Sequence, residues 1–112
     1  MTFLLQSNSS ANGSQGFTEK VITTNATSAL EVYAEDLDLD GDIDVLSASY
    51  YDDDIAWYEN NGSQSFTERT IENSADGPRS VFAIDFDIDG DMDVLSASQN
   101  GDRVYWHENN GS

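Results

Sequence analysis

Shifted by 49 residues, the chain overlays on itself without a gap. NGSQ at 12–15 falls on NGSQ at 61–64, and FTE at 17–19 on FTE at 66–68. DGDIDVLSAS at 40–49 falls on DGDMDVLSAS at 89–98, Trp57 on Trp106, and ENNGS at 59–63 on ENNGS at 108–112. Such a chain folds as one unit used twice, each copy packing on the next. The repeat divides it into a non-repeat leader at 1–11, an outer strand with the first repeat at 12–63, and a second repeat at 61–112 that lacks its outermost strand.

Within each repeat, short runs rich in Val, Ile, Tyr, Phe and Trp alternate with Asn-Gly and Asp-rich breaks, the signature of strands and hairpins. The expected strands are 29–36, 44–50, 55–59 and 65–71, then 79–85, 93–98 and 103–108, with turns at 51–54 and 100–101. Helical periodicity is absent, and the breaks come too often for it. A unit of about 40–50 residues with four strands is a β-propeller blade. A sandwich of duplicated halves is the alternative, and the gapless period fits radial repetition better. The expected fold is therefore all-β: two four-stranded antiparallel blades per chain, with the ring completed by oligomerisation.

The repeat carries most of its charge in one place. Residues 36–44 read DLDLDGDID and residues 85–93 read DFDIDGDMD, with aspartate at every second position and one glycine. Ten of the chain's 22 acidic residues lie in these two stretches. Two carboxylates about 6 Å apart repel by roughly 3 kcal/mol at an effective dielectric near 20. Several of them converging need a counter-charge. Carboxylates at positions 1, 3, 5 and 9, a main-chain carbonyl at 7 and glycine at 6 for the sharp turn suit Ca²⁺, which takes six to eight hard oxygen ligands. Mg²⁺, which demands octahedral geometry and keeps its waters, suits the loop less well. A solvated acidic turn would account for a lone DxD, but not for Asp at 1, 3, 5 and 9 with Gly at 6 and a second copy 49 residues on. An EF-hand also opens DxDxDG, but it needs Glu at position 12 and flanking helices. Position 12 is Ser47 in one copy and Ser96 in the other, and both flanks read as strands.

DLDLDGDIDVL and DFDIDGDMDVL, each after a small-residue strand (VYAED, VFAID) and before a Trp-containing strand ending in ENNG, resemble FG-GAP/VCBS repeats, the blades of integrin-α-like calcium-binding β-propellers. The resemblance covers residues 12–112. It implies a loop between the first and second strands of each blade that holds Ca²⁺, about two ions per chain. Carried over by position, the ligands would be Asp36, Asp38, Asp40, Asp42 (main chain) and Asp44, then Asp85, Asp87, Asp89, Asp91 (main chain) and Asp93. The FG and GAP tripeptides themselves are replaced by DVLSAS, so the VCBS branch is the closer match.

Other chemistry is sparse. Four Lys+Arg against 22 Asp+Glu, a formal net charge of −18, argue against nucleic acid and anionic membranes as partners. With no cysteine, disulfides and thiolate metal sites are excluded. Without a nucleophile beside a base, and with the carboxylates claimed by the loops, no catalytic constellation forms, so the chain is expected not to be an enzyme. The single histidine, His107, stands in the repeat position of Tyr58 and reads as a surface or inter-blade residue, and Trp57 and Trp106 as packing between blades.

The turns at 50–54 and 99–103 fall on the blade end opposite the aspartate loops. There Tyr50, Tyr51, Asn100 and Arg103 are the candidate residues for a protein or glycan ligand. The expected function is a calcium-binding scaffold for adhesion or ligand binding; the alternative is a propeller lectin. Calcium loops suit an extracellular or cell-surface setting, with no secretion signal in this chain. Residues 16–22 are expected to complete the second blade of a neighbouring copy. That head-to-tail contact gives a six-bladed homotrimer, or an eight-bladed homotetramer as the alternative.

Overall fold

A computed structural model describes residues 16–111; the expected leader at 1–11 and the NGSQ of 12–15 lie outside the described residues. The first sheet contains β1 (Ala29–Glu35), β2 (Asp44–Ser49), β3 (Asp54–Asn60) and β4 (Phe66–Glu72), in that spatial order. The second contains β5 (Pro78–Ile84), β6 (Asp93–Ser98) and β7 (Arg103–His107), again in order. Every neighbouring pair is antiparallel. Each sheet is thus an up-and-down meander, the strand order of a propeller blade. Among the described residues there is no helix. All seven expected strands form within a residue or two of their expected bounds. Residues 16–22, which repeat the sequence of β4, are not in a strand. An extended segment needs a sheet edge to satisfy its backbone groups, and no edge is paired with it here.

The small residues of DVLSAS explain how closely the sheets approach. In β2, Leu46, Ser47, Ala48 and Ser49 are all buried, so both faces of this strand are covered. One face of the first sheet, with Leu46, Ala48 and Ile55, packs on Val81, Ala83 and Val94 of the second. Leu37 and Ala75 complete this core, and Tyr33, Trp57, Ile71 and Met92 flank it. Burial of each of Leu46, Ile55 and Val81 contributes about 1.5–3 kcal/mol. Ser98 Oγ donates to the carbonyls of Ala75 and Asp76 where the sheets meet, and on the other face of β2 Ser47 Oγ lies 3.2 Å from the Tyr58 hydroxyl.

His107 occupies Tyr58's repeat position, with Nε2 3.0 Å from Ser96 Oγ, as Tyr58 stands to Ser47. Burial between the sheets drives its pKa below the usual histidine value, and the nearby Glu72 carboxylate opposes this only in part. A base with a depressed folded pKa binds fewer protons folded than unfolded, so its contribution to stability falls as pH drops through the histidine range. His107→Tyr restores the first repeat's solution. The variant is expected to keep the wild-type melting temperature near pH 8 and to exceed it by a few degrees near pH 5.5. Parallel melting curves at both pH values would contradict this account.

Candidate metal centre

The nine-residue loops connect β1 to β2 and β5 to β6, and they match hydrogen bond for hydrogen bond. In the first, the Asp36 carboxylate accepts the N–H of Asp40 at 3.0 Å and of Gly41 at 2.8 Å. Asp40 Oδ1 accepts the N–H of Asp42 at 2.9 Å. In the second, Asp85 accepts from Asp89 at 3.0 Å and Gly90 at 2.9 Å, and Asp89 from Asp91 at 2.9 Å. These bonds coil the chain so that alternate carboxylates converge. The coil needs left-handed backbone: Gly41 and Gly90 have φ of 95° and 97°. It also forces Leu39 and Ile88 to φ of 59° and 60°, a costly conformation for a bulky or β-branched residue. The same strain at the same position in both copies shows that the surrounding structure over-determines the loop.

Convergence is close. One oxygen from each of Asp36, Asp38 and Asp40 lies within 4.8 Å of the other two, and the same holds for Asp85, Asp87 and Asp93 and for Asp87, Asp89 and Glu108. Oxygens so spaced can share a cation with bonds of about 2.4 Å, the Ca²⁺ distance. The donor set is entirely hard oxygen, so the residues present fit Ca²⁺.

Asp44 and Asp93 have a different local role. Both are buried. Asp44 accepts the N–H of Leu37 at 3.0 Å and of Asn60 at 2.8 Å; Asp93 accepts those of Phe86 at 3.0 Å and Asn109 at 2.8 Å. Each carboxylate therefore staples its loop to the chain at the end of the third strand. The asparagine side chains reinforce the staple, donating to the carbonyls of Ile43 and Met92. The Asp42 and Asp91 carboxylates turn toward the neighbouring turns instead. A Cβ on Gly62 would stand 2.9 Å from Asp42 Oδ2, and one on Gly111 2.8 Å from Asp91 Oδ2. Those glycines are required twice over, since both also have positive φ.

The crowding shows in the titration of the central carboxylates. Partial burial, then the charge of Asp44, the hydrogen bond and charge of Asp40 and a hydrogen bond with Glu59, raise Asp38 to about 7. Asp87 is raised to about 6 by partial desolvation together with Asp89, Asp93 and Glu108. Burial pushes Asp93 up too, but the backbone N–H groups of Asn109, Phe86 and Asp87 and the Trp106 indole outweigh it and hold Asp93 below the usual range. In each loop the central carboxylate is thus the one pushed toward holding a proton, at a place where a divalent cation would satisfy all of them.

Glu59 and Glu108 are the residues the sequence reasoning missed. The first sits beside Asp38 and the second joins Asp87 and Asp89. The available signal was their identical place in the two ENNGS segments, just before the stapling asparagines. The two centres differ here. Glu59 is held by Arg69, with Nε 2.7 Å from Oε1, and the same guanidinium lies over the Trp57 ring at 5.8 Å. Arg69 belongs to β4, and the second sheet has no such strand among the described residues.

At the opposite blade end, the structure brings Tyr50 and Asn100 together, with the tyrosine hydroxyl donating to Asn100 Oδ1 at 3.1 Å. Arg79 lies over the Tyr50 ring at 5.7 Å, so this group ties one sheet's turn to the other's. Tyr51 is exposed and edge-on to Tyr50. Arg103 opens β7 opposite Ser98 and is not part of that cluster.

A family model described as FG-GAP-like repeat matches residues 36–96, from the first aspartate of the first loop into β6. The chain belongs to the FG-GAP-like repeat family, and its sheets define a β-propeller-type repeat module. No curated protein and no solved structure matches it significantly. Among the described residues, no helix is long and apolar enough to cross a membrane.

Proposed function

We propose that the chain is a calcium-binding propeller module that serves, outside the cell, as a non-catalytic scaffold for adhesion or ligand binding. The observation that carries the reading is the duplicated loop: three carboxylates converge within 4.8 Å in each copy, on hydrogen bonds that repeat atom for atom. Asp36, Asp38 and Asp40 would hold one ion, with Asp44 and the Asp42 main chain beside them. Asp85, Asp87, Asp89 and Asp93, with the Asp91 main chain and Glu108, would hold the other. The cation supplies charge neutralisation and a cross-link between successive turns of the loop; the chain supplies the coil, the staples and the strained backbone that keep the oxygens together. A lectin role is the second reading, and it rests on the exposed ring of Tyr51. Calorimetric titration with calcium tests the setting. A Kd in the range of about 10⁻⁴–10⁻³ M suits an extracellular module, whereas a Kd well below micromolar would contradict the extracellular assignment.

A further inference from the structure

The contact between the two sheets is made by two different faces, and each face occurs a second time in the chain with its equivalent valine exposed. The face of the second sheet that enters the core carries Val81, 1% exposed; its counterpart in the first sheet, Val32, is 67% exposed. The face of the first sheet that enters the core carries Ile55, 0% exposed; its counterpart in the second, Val104, is 82% exposed. Both halves of that apolar contact are therefore left partly open on one molecule.

The sheet edges tell the same story. In the first sheet β4 covers β3, with Phe66 opposite Asn60, Glu68 opposite Tyr58 and Arg69 opposite Trp57. In the second, nothing among the described residues covers β7. Residues 17–22, FTEKVI, repeat the FTERTI of β4. They also hold β4's position relative to the sheet that follows them. Ile22 lines a hollow with Val45 and Tyr58 of the first sheet, as Ile71 lines one with Val94 and His107 of the second. The rigid step that carries the first sheet onto the second, applied to a whole copy, thus seals the free faces and lays that copy's residues 17–22 along β7.

We propose that a second copy of this chain docks head-to-tail on the second sheet and donates residues 17–22 as its fourth strand. The repeat fixes the register: Phe17 opposite Asn109, Glu19 opposite His107, and Lys20 opposite Trp106. Lys20 of the second copy then takes Arg69's place, over the Trp106 ring and beside Glu108. The second acidic centre gains from the partner the cation that the first centre has from its own β4. The contact is heterologous, so its repetition by rotation closes a ring. Three copies make six blades and four make eight, within the range of propellers.

Light scattering on the whole chain in millimolar calcium tests the proposal, with Val21→Pro breaking the donated strand and Val104→Glu spoiling the receiving face. Both positions are exposed in the single chain, so circular dichroism should be unchanged. Wild type is expected at three or four times the 12.3 kDa of one chain, and each variant alone at one. An equimolar mixture of the variants is expected to give a two-chain species and nothing larger, because one supplies an intact receiving face and the other an intact strand. A monomeric or open-ended wild type, variants that keep the wild-type mass, or a mixture that stays monomeric would each overturn it.

Discussion

Chelation is expected to lower the melting temperature of this chain by roughly 20 °C at neutral pH. A ligand that binds only the folded state stabilises it by about 2.7 kcal/mol per site at 100 times its Kd, and the two loops would offer two sites. At about 4 °C per kcal/mol for a chain of this size, the two together give that shift. The metal-free loops also carry a pH signature. Asp38 and Asp87 have folded pKa values raised to about 7 and about 6. Groups raised in this way favour the fold when protonated, and that contribution is lost as pH climbs from the ordinary carboxylate range through those values. The difference between EDTA and calcium melts should therefore shrink near pH 5, where protons partly replace the ion. Differential scanning calorimetry at both pH values checks it; identical curves with and without calcium would be incompatible with the metal reading.

Asp44→Ala is expected to cost about 3–5 kcal/mol whether or not calcium is present. Its two oxygens accept the N–H groups of Leu37 and Asn60 in a buried position, and each buried donor left without a partner costs about 1–3 kcal/mol. Asp93→Ala should behave alike for Phe86 and Asn109. Asp38→Asn provides the contrast. It removes one of the mutually repelling charges, so in EDTA it should leave stability unchanged or raised, while weakening calcium binding. Urea unfolding in EDTA separates the two classes. An Asp44→Ala midpoint equal to wild type there would mean that Asp44 acts only through the ion.

The strands were legible because their period is carried by β-branched and aromatic residues between Asn-Gly and Asp breaks, and because the repeat states each boundary twice. The loops were legible because aspartate at every second position has few uses. The division of labour inside them was not. Asp44 looks like one more acid in the alternation, and only burial between two chain segments reveals it as a staple. Glu59 and Glu108 lie on or just beyond a neighbouring strand and reach the loop through space, a relation that spacing along the chain does not express. The difference between the two centres was hidden for the same reason, since Arg69 comes from a fourth strand that only the first sheet has. Residues 17–22 show the limit from the other side: their sequence repeats that of β4, yet no sheet edge is paired with them and they form no strand.

The account rests on the two loops being ion sites, and counting ions tests that most directly. Calorimetric titration of the wild-type chain with calcium, beside Asp40→Ala and Asp89→Ala, should give about two ions per chain for wild type and about one for each variant, with the remaining site intact. A wild type that takes up no calcium, or variants that both retain the wild-type stoichiometry, would contradict it.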